Sequence, residues 1–454
     1  MKVASQLAKN FLESLRSAVA QVDMPVIEGT VQSVSDTVLD AVLPGATVGA
    51  LVQIGERGIA QVSRVEQTQC RLVPMILPTP PSAGTSVRML ERVPTVPVGD
   101  QTLGRVVSPL GIPMDQQGDI RATERWPIQR SAPHPFDRPA VTRQLVTGLR
   151  AIDGLLAMGI GGRMGLFAGP GQGKSTLLGM LAKGATLDVC VICLAGERGR
   201  EAGEFVRQTL GASGLKNSVV VLATSDASPA ERVLAMHSAT AIAEWFRDQG
   251  KDVLLLVDSL TRVVRARRDI DLALGEPVGP GGLAATTLSF LPALLERAAP
   301  NARGTISAVY TVLSQTQGDD VISSEITSLL DGHILLSAKR ADAGKWPAID
   351  VVKSVSRTMK SVATDAQLQM AARLRSVLAA YEDNEDLLLM GAYTAGSCPL
   401  TDAYLRCREY IDAFLTQGDV AVDVGETHEA LQTLTQRLLL PDRSLPLNPV
   451  KKPM

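Results

Sequence analysis

Hydrophobic and polar residues follow three patterns along the chain, and each pattern predicts a different kind of structure. Between residues 24 and 93, short apolar runs such as 59–62 (IAQV) and 72–76 (LVPMI) are separated by Gly and Pro turns, which is typical of a small β-barrel. Between residues 94 and 360, strand-like and helix-like segments alternate, which indicates an α/β fold with a parallel sheet. The predicted strands of that sheet are 164–168, 189–195, 218–223, 253–257, 305–313 and 332–337.

The third pattern, helical periodicity, is found at both ends of the chain. Residues 361–454 are predicted to be largely helical, with periodic Leu and Ala in 367–380 and 428–440, and to finish in a loose Pro-rich tail over 441–454. Residues 1–22 are predicted to form an amphipathic helix, which either packs on its own protein or docks to a partner. The apolar face of that helix is formed by Leu7, Phe11, Leu15 and Val19.

The amino-acid composition argues against several classes of protein. The chain of 454 residues is long enough for about three domains, and its hydrophobic fraction of 45% allows a large core. A net charge of −2 and an aromatic fraction of 3% argue against nucleic acid as the main partner. No apolar stretch approaches the length that crosses a bilayer, and Lys9, Glu13 and Arg16 exclude a secretory signal at the N-terminus.

The cysteines are interpreted as core residues rather than as a redox or metal site. The five cysteines are scattered, which fits a reducing cytoplasm. Cys190 and Cys193 form a C-x-x-C, but they lie within the predicted strand 189–195, where side chains three residues apart face opposite sides. The four histidines are dispersed and show no metal-ligand spacing.

Residues 168–175 (AGPGQGKS) have the pattern of a phosphate-binding loop. In such a loop, a Gly-rich turn points backbone N–H groups at one anion, a Lys reaches the outer phosphates and a Ser hydroxyl binds Mg²⁺; Lys174 and Ser175 take the last two roles. A helix-like run follows, so the positive end of a helix faces the phosphates. The predicted nucleotide-binding residues of this segment are Gly169, Pro170, Gly171, Gln172, Gly173, Lys174, Ser175 and Thr176.

Two carboxylates follow predicted strands of the same sheet. Asp258 ends the apolar run 253–257 and fits the second element of a phosphate-loop site, whose Asp holds Mg²⁺ through water. Glu197 follows the strand 189–195, at the edge of the sheet where ligands bind. A carboxylate there orients the attacking water, and a neighbouring arginine such as Arg198 meets phosphate charge.

A late arginine is a candidate for a different role. Arg357 closes the segment 354–357 (SVSR) at the end of the α/β region. An arginine finger that reaches a neighbour's active site accelerates hydrolysis by on the order of 10³–10⁵. From the sequence pattern alone, a surface arginine is the simpler interpretation.

Together these motifs make the chain resemble the type III secretion ATPases, the family of flagellar export and injectisome motors, which are similar to the catalytic subunits of rotary ATP synthases. The resemblance runs from about residue 24 to residue 415 and implies a RecA-like P-loop core with an N-terminal β-barrel and a C-terminal helical domain. The predicted regions are therefore the helix 1–22, the barrel 24–93, the ATPase domain 94–360 and the helical domain 361–454. The matching segments are 147–155 (TGLRAIDGL), 167–178, 196–201 (GERGRE), 239–262, 275–277 (GEP), 291–297, 330–336 (LDGHILL) and 346–357 (WPAIDVVKSVSR).

The resemblance implies roles for the residues that surround the phosphates. Lys174 and Ser175 bind the phosphates and Mg²⁺, and Asp258 serves the metal. Glu197 polarises the attacking water. The loop of this family also begins with an alanine, so Ala168 fits the pattern.

It also implies roles for residues at the edge of the site. Arg198 and Arg262 meet phosphate charge or hold the site together, and Arg357 matches the position that reaches a neighbouring subunit's nucleotide. Trp346 stands where relatives place an aromatic residue, usually Tyr, against adenine. A Trp face stacks there equally well, although ordinary packing is an alternative for this residue.

The resemblance further implies a homohexamer, because one chain carries both halves of a site that is completed across an interface. In the family, the ring lies in the cytoplasm at the base of a membrane export apparatus, grips a central stalk protein and is held by a peripheral stator protein. It releases chaperones from the secreted substrates. The implied function is therefore a Mg²⁺-dependent ATPase that powers protein export and has no nucleic-acid partner, with helix 1–22 in the position of the stator-binding element.

Several segments depart from the family's pattern. Relatives have Arg-Gly-Tyr and prolines after Gly-Glu-Pro, where this chain has 281–285 (GGLAA), and Glu-Gly-Asp-Asp in the region where it has 314–325 (SQTQGDDVISSE). The segments 278–288 and 314–328 face the central channel in the family, so these departures concern coupling rather than hydrolysis. In the loop itself, Pro170 lacks an N–H that would face phosphate.

Three other functions fit parts of the pattern. A subunit of a rotary ion-translocating ATPase would pair with a second, homologous subunit. A ring-shaped RNA translocase would need a basic, aromatic barrel, and residues 24–93 contain no Phe, Tyr or Trp. A degenerate ring protein without hydrolysis is disfavoured because Lys174, Glu197 and Arg357 are all present.

Overall fold

The computed structural model describes residues 28–35, 37–122, 124–314 and 321–439. The predicted helix 1–22 and the predicted tail 441–454 lie outside these residues, as do residues 315–320 of the second divergent segment. By their contacts the residues divide into two units. One ends at Pro94 and includes Ala273–Gly275, and the other holds Thr95–Leu272 and the chain from Glu276 onward.

The first unit contains a closed, antiparallel, six-stranded barrel with strand order β1-β2-β5-β4-β3-β6. Its alternating residues point inward: in β4, Gly58, Ala60 and Val62 are buried while their neighbours are partly exposed. This alternation closes an apolar interior, and the predicted small barrel is confirmed. Its strands are β1 (Glu28–Val34), β2 (Leu39–Val42), β3 (Leu51–Ile54), β4 (Gly58–Glu66), β5 (Gln69–Ile76) and β6 (Ser86–Glu91).

The second unit carries twelve further strands, which are β7 (Thr95–Val98), β8 (Val106–Val107), β9 (Glu124–Pro127), β10 (Gln144–Leu145), β11 (Met158–Gly159), β12 (Arg163–Ala168), β13 (Val189–Glu197), β14 (Ser218–Thr224), β15 (Asp252–Asp258), β16 (Thr305–Leu313), β17 (Gly332–Leu336) and β18 (Ile349–Ser356). Eight of them form one sheet in the order β18-β17-β12-β16-β15-β13-β14-β8, and β7-β9 and β10-β11 are separate pairs. All six predicted strands occur in the large sheet, which confirms the predicted α/β core.

The strand β18 was not predicted, and it breaks the parallel pattern of the sheet. It pairs antiparallel with β17, whereas the other neighbouring pairs of the sheet are parallel. Only residues 337–348 connect the two strands, and part of that connection is the short helix Ala338–Asp342. A parallel pairing needs a full crossover, so the short connection favours the antiparallel arrangement.

Helices connect the strands and form the end of the chain. The long helix Pro229–Asp248 shows why such a segment is helical: Pro229 starts it, and Ser228 and Glu231 form a reciprocal capping box. The helices are α1 (Arg150–Leu155), α2 (Lys174–Gly184), α3 (Gly199–Glu204), α4 (Gly211–Lys216), α5 (Pro229–Asp248), α6 (Leu260–Ala273), α7 (Ala285–Leu295), α8 (Val321–Leu329), α9 (Ala338–Asp342), α10 (Met359–Val362), α11 (Asp365–Leu389), α12 (Pro399–Leu415) and α13 (Val424–Leu439). No described helix combines the length and the apolar character that crossing a membrane requires.

One apolar core joins the sheet to the C-terminal helices. It includes Leu166 of β12 and Leu178 of α2, together with Leu374, Ile411 and Leu431 from α11, α12 and α13. Cys190 and Cys193 are buried and form no disulfide, which confirms their interpretation as core residues. The shared core places the C-terminal helices firmly beside the phosphate loop.

Candidate active site

The predicted phosphate loop connects β12 to α2, at the carboxyl edge of the sheet. Gly171 and Gly173 have φ angles of 75° and 80°, a conformation that favours glycine. The side chain of Gln172 braces the loop, because its Oε1 accepts a hydrogen bond of 2.7 Å from the N–H of Gly169. Helix α2 then begins at Lys174, so the helix N-terminus faces the loop.

The strand order brings the two predicted carboxylates to Lys174. In the sheet, β16 alone separates β12 from β15, and β13 is the strand on the other side of β15. Because these strands are parallel, the carboxyl ends of β12, β15 and β13 lie at one edge of the sheet. The Nζ of Lys174 lies 2.6 Å from Oδ1 of Asp258 and 3.0 Å from Oε1 of Glu197. One ammonium group is thus shared by both carboxylates.

Burial makes these charges interact strongly. Asp258 is 2% exposed and Glu197 is 7% exposed. Burial raises the pKa of Asp258, and the charge of Glu197 adds to the rise. Burial acts in the same sense on Glu197, but the charges of Lys174 and Arg262 outweigh it and hold the pKa of Glu197 below its usual value. Glu197 is therefore an anion at neutral pH.

Two further side chains hold the carboxylates of Glu197 and Asp258 in position. Nη1 of Arg262 lies 3.0 Å from Oε2 of Glu197, and it also donates to the carbonyl of Gly196. Thr311 of β16 donates a hydrogen bond of 2.8 Å to Oδ1 of Asp258. Arg262 was predicted as a residue of the site, whereas Thr311 was not, because nothing in the sequence distinguishes it from other strand threonines.

Among the remaining predicted site residues, Ser175, Thr176 and Arg198 line the cavity above the loop, whereas Arg357 does not. Ser175 and Thr176 are exposed at the start of α2 and line the cavity above the loop. Arg198 also lines that cavity, but its side chain is 77% exposed and pairs with Glu201 at 3.0 Å. Arg357 follows β18, and it is not among the residues that line this chain's cavity.

The cavity continues from the phosphate loop to Trp346. It has a volume of 1190 Å³, and its far end is lined by Gly344, Trp346 and the residues 416–419. The Trp346 ring rests on the loop: a Cβ added at Gly173 would lie 2.5 Å from Cζ3 of the ring. The indole therefore forms one wall of a slot beside the phosphate loop, and residues 416–419 form another wall of that slot.

Sequence reasoning missed the wall contributed by residues 416–419. These four residues follow α12, far along the chain from the loop. Their sequence (TQGD) has a turn-like composition but no motif that points to a ligand. Only their place in the fold brings them to the cavity.

Two family models match the chain. The ATP synthase alpha/beta family, nucleotide-binding domain, matches residues 148–356, and the type III secretion EscN ATPase C-terminal domain matches residues 363–433. These two matches cover most of the second unit, including the phosphate loop and the wall at 416–419.

Curated relatives match over nearly their whole length. The chain is 44% identical to a flagellum-specific ATP synthase of Treponema pallidum, over 90% of this chain and 93% of the relative. It is 40% identical to a type 3 secretion system ATPase of Sinorhizobium fredii, over 93% of this chain and 96% of the relative.

Solved structures give the same result. The assembled ATPase EscN of the enteropathogenic E. coli type III secretion system matches with a TM-score of 0.85 and 39% identity, over 90% of this chain and 100% of that one. EscN in complex with its central stalk EscO matches with a TM-score of 0.84, at the same identity and coverage.

Proposed function

Because the chain belongs to the family of type III secretion and flagellum-specific ATPases, we propose that it hydrolyses ATP as a homohexameric ring to power protein export. The observation that carries this proposal is the buried Glu197, held between Lys174 and Arg262 at the mouth of a cavity lined by the phosphate loop. A carboxylate kept ionised there has the charge and the position to orient a water molecule against the terminal phosphate.

The chain's own residues would act mainly through position and charge. The loop 169–173 and the start of α2 bind the phosphates, and Lys174 leaves its two carboxylates to meet the outer ones. Arg262 neutralises charge that develops on the transferred phosphoryl group and keeps Glu197 in place. Preorganised charges of this kind account for most of the catalysis in phosphoryl transfer.

The residues present fit Mg²⁺. The exposed hydroxyl of Ser175 and the buried carboxylate of Asp258 are hard oxygen ligands, which Mg²⁺ prefers. Among the described residues there is no cluster of three or more His, Cys, Asp or Glu that would hold a metal without the nucleotide. Ser175 and Asp258 would hold an ion that is bound together with ATP, and the ion would supply charge neutralisation at the phosphates.

Arg357 would complete the site of a neighbouring subunit. Arg357 does not line this chain's own cavity, and this supports a role in trans. A ring of identical chains then gives every site one loop and one finger. Arg198, whose side chain is exposed, would meet the charge of a phosphate or of a neighbouring subunit.

The place of the ring follows from the relatives. We propose a cytoplasmic ring at the base of a membrane export apparatus, with a central stalk protein in its channel, by analogy with the solved complex of EscN and its central stalk EscO. A peripheral stator protein, export chaperones and secreted substrates are the further proposed partners, and the export gate is an indirect one.

Complementation between two inactive variants tests both the chemistry and the ring. Lys174→Ala removes the loop's lysine but keeps Arg357, and Arg357→Ala does the reverse. Each variant alone should lose almost all ATP hydrolysis, since removal of one transition-state charge costs on the order of 10²–10³ in kcat. In a 1:1 mixture, about a quarter of the sites would combine an intact loop with an intact finger, so hydrolysis should return.

Controls make this result decisive. Arg207→Ala removes an exposed arginine outside the cavity and should behave as wild type, alone and in mixtures. Light scattering follows ring assembly in each sample. Mixed rings that form but remain as inactive as their parents would contradict a site shared between subunits.

A further inference from the structure

The wall of the cavity at residues 416–419 belongs to a segment without regular secondary structure, and several hydrogen bonds hold that segment in place. Residues 416–420 follow the end of α12 and precede α13. Their backbone is tied to Trp346, because the N–H of Gln417 donates a hydrogen bond of 2.8 Å to the carbonyl of Trp346. A backbone hydrogen bond therefore links the two walls of the slot directly.

The side chain of Gln417 uses all its polar atoms inside the protein. Its Oε1 accepts a hydrogen bond of 3.0 Å from the N–H of Arg150. Its Nε2 donates to the carbonyls of Gly148, at 2.7 Å, and Val420, at 2.8 Å. This amide is half-buried, and it joins the segment 416–420 to the residues that open α1.

Arg150 holds the same segment from its other side. Its guanidinium donates to the carbonyls of Ala413, Phe414 and Thr416, and Thr416 is the first residue of the segment. These carbonyls lie at the end of helix α12 and have no partner within the helix, so a cation there satisfies them and complements the negative end of the helix.

The two residues that follow the segment, Ala421 and Val422, pack closely against Gly148 and against the end of α2. The N–H of Val422 donates a hydrogen bond of 3.0 Å to the carbonyl of Gly148. A Cβ added at Gly148 would lie 2.6 Å from the Cβ of Ala421, and one added at Gly184, the last residue of α2, would lie 3.3 Å from it. The segment is thus placed relative to the helix that begins at Lys174.

We propose that Gln417 is a positioning residue for the nucleotide base. It sets the width of the slot between Trp346 and residues 416–419, and its distance from the phosphate loop. This inference rests on the proposed function, since it takes the slot beside Trp346 as the place of the adenine. Gln417 acts through these neighbours, so its loss weakens binding of the base and leaves binding of the phosphates intact.

Two substitutions and a matched control test the proposal. Gln417→Ala removes three side-chain hydrogen bonds, and Gln417→Met removes them while keeping the side-chain volume. Gln436→Ala, an exposed glutamine of α13, is the control. The ligands are ADP, which carries the base, and inorganic tripolyphosphate, which does not; the measurements are calorimetric binding and inhibition of ATP hydrolysis.

The expected result is a loss of selectivity for the base. Both Gln417 variants should bind ADP about tenfold more weakly, since they lose three side-chain hydrogen bonds and part of that loss falls on the slot. KM for ATP should rise by the same factor, with kcat within about twofold, because the phosphate end is unchanged. Affinity for tripolyphosphate should not change, and Gln436→Ala should match wild type.

Two results would overturn the proposal. Unchanged ADP affinity in the Gln417 variants would show that the slot does not depend on this side chain. An equal loss of ADP and tripolyphosphate affinity would show that Gln417 supports the phosphate loop rather than the base.

A measurement on the unaltered chain covers the case in which neither variant folds. ADP should slow amide hydrogen exchange in the segment 416–422, and tripolyphosphate should not. Equal exchange in the presence of both ligands contradicts the proposal. ADP binding needs no turnover, so a chain that binds ADP through this segment but does not hydrolyse ATP would refute the proposed function and leave this inference standing.

Discussion

The two ends of the cavity are built by different means. At the phosphate end, three strand termini on one edge of the sheet bring Glu197 and Asp258 to within 3.0 Å of Lys174, and buried charge dominates. At the base end, Trp346 and the residues 416–419 come from connections, and neutral hydrogen bonds centred on Gln417 hold them. If the proposed roles hold, buried charge at the phosphate end supplies the chemistry, whereas neutral hydrogen bonds at the other end supply position and selectivity.

The largest effect should come from the phosphate end. Glu197→Gln keeps the shape of the side chain but removes the charge that orients water, so kcat should fall by about 10²–10⁴. KM for ATP should change far less, since Glu197 acts on the reacting water and not on the bound base. Steady-state ATP hydrolysis measures both constants.

Glu204→Gln is the matched control for that substitution. Glu204 lies in α3, close in sequence to Glu197 but outside the cavity, and it pairs with the exposed Arg200. Its loss should leave kcat within about twofold, because surface ion pairs contribute little. Equal losses for both glutamates would mean that net negative charge near the cavity matters, and not the position of Glu197.

An intermediate effect is expected at the base end. Trp346→Ala removes the stacking wall, and stacking of a base on an aromatic ring is worth about 1–3 kcal/mol, so KM for ATP should rise about 10- to 100-fold. The value of kcat should change little, in contrast to Glu197→Gln. Trp346→Phe keeps an aromatic face and should retain most of the affinity; a large fall in kcat for Trp346→Ala would break the division between the two ends.

The smallest effect on nucleotide binding and hydrolysis should come from an ion pair that lies outside the cavity. Arg105 donates to both oxygens of Asp115, at 2.7 and 2.9 Å, and this holds the pKa of Asp115 at about 2, below its ordinary value of 3.8. The lowered pKa means that the stabilisation is present above pH 3.8 and is lost as the pH falls toward 2. Asp115→Asn should therefore lower the free energy of unfolding by about 2 kcal/mol at neutral pH, and by progressively less in acid.

Urea unfolding at several pH values measures this dependence. Asp119→Asn, which removes an exposed carboxylate nearby, should change stability little. Both variants should keep the wild-type KM and kcat. A stability difference between Asp115→Asn and wild type that stays constant down to pH 2 would contradict the role of the ion pair.

Much of the phosphate end was predictable because its signals are local. A Gly-rich turn between a strand and a helix, and a carboxylate directly after an apolar run, are patterns of adjacent residues. Once the segments 164–168, 189–195 and 253–257 were predicted as parallel strands, their carboxyl ends had to share one edge. The structure shows that edge with Lys174 between its two carboxylates.

The base end and the orientation of the arginines were not predictable in this way. Gln417 lies more than 260 residues from Arg150, to which it is hydrogen bonded. The antiparallel strand β18, which leads to Arg357, depends on the length of one connection. Arg198 points to solvent although its neighbour Glu197 points inward, and the periodicity of a strand end does not decide that direction.

The sequence by itself determined the family, the barrel and the α/β core, and it predicted the residues of the phosphate loop, because each of these depends on short-range patterns in the chain. Tertiary structure alone decided that Trp346 rests on Gly173, that Thr311 supports Asp258 and that Gln417 joins the segment after α12 to Gly148. These contacts form only when the C-terminal helices pack on the sheet and share its apolar core. Packing of that kind brings distant residues together without leaving a local pattern in the chain.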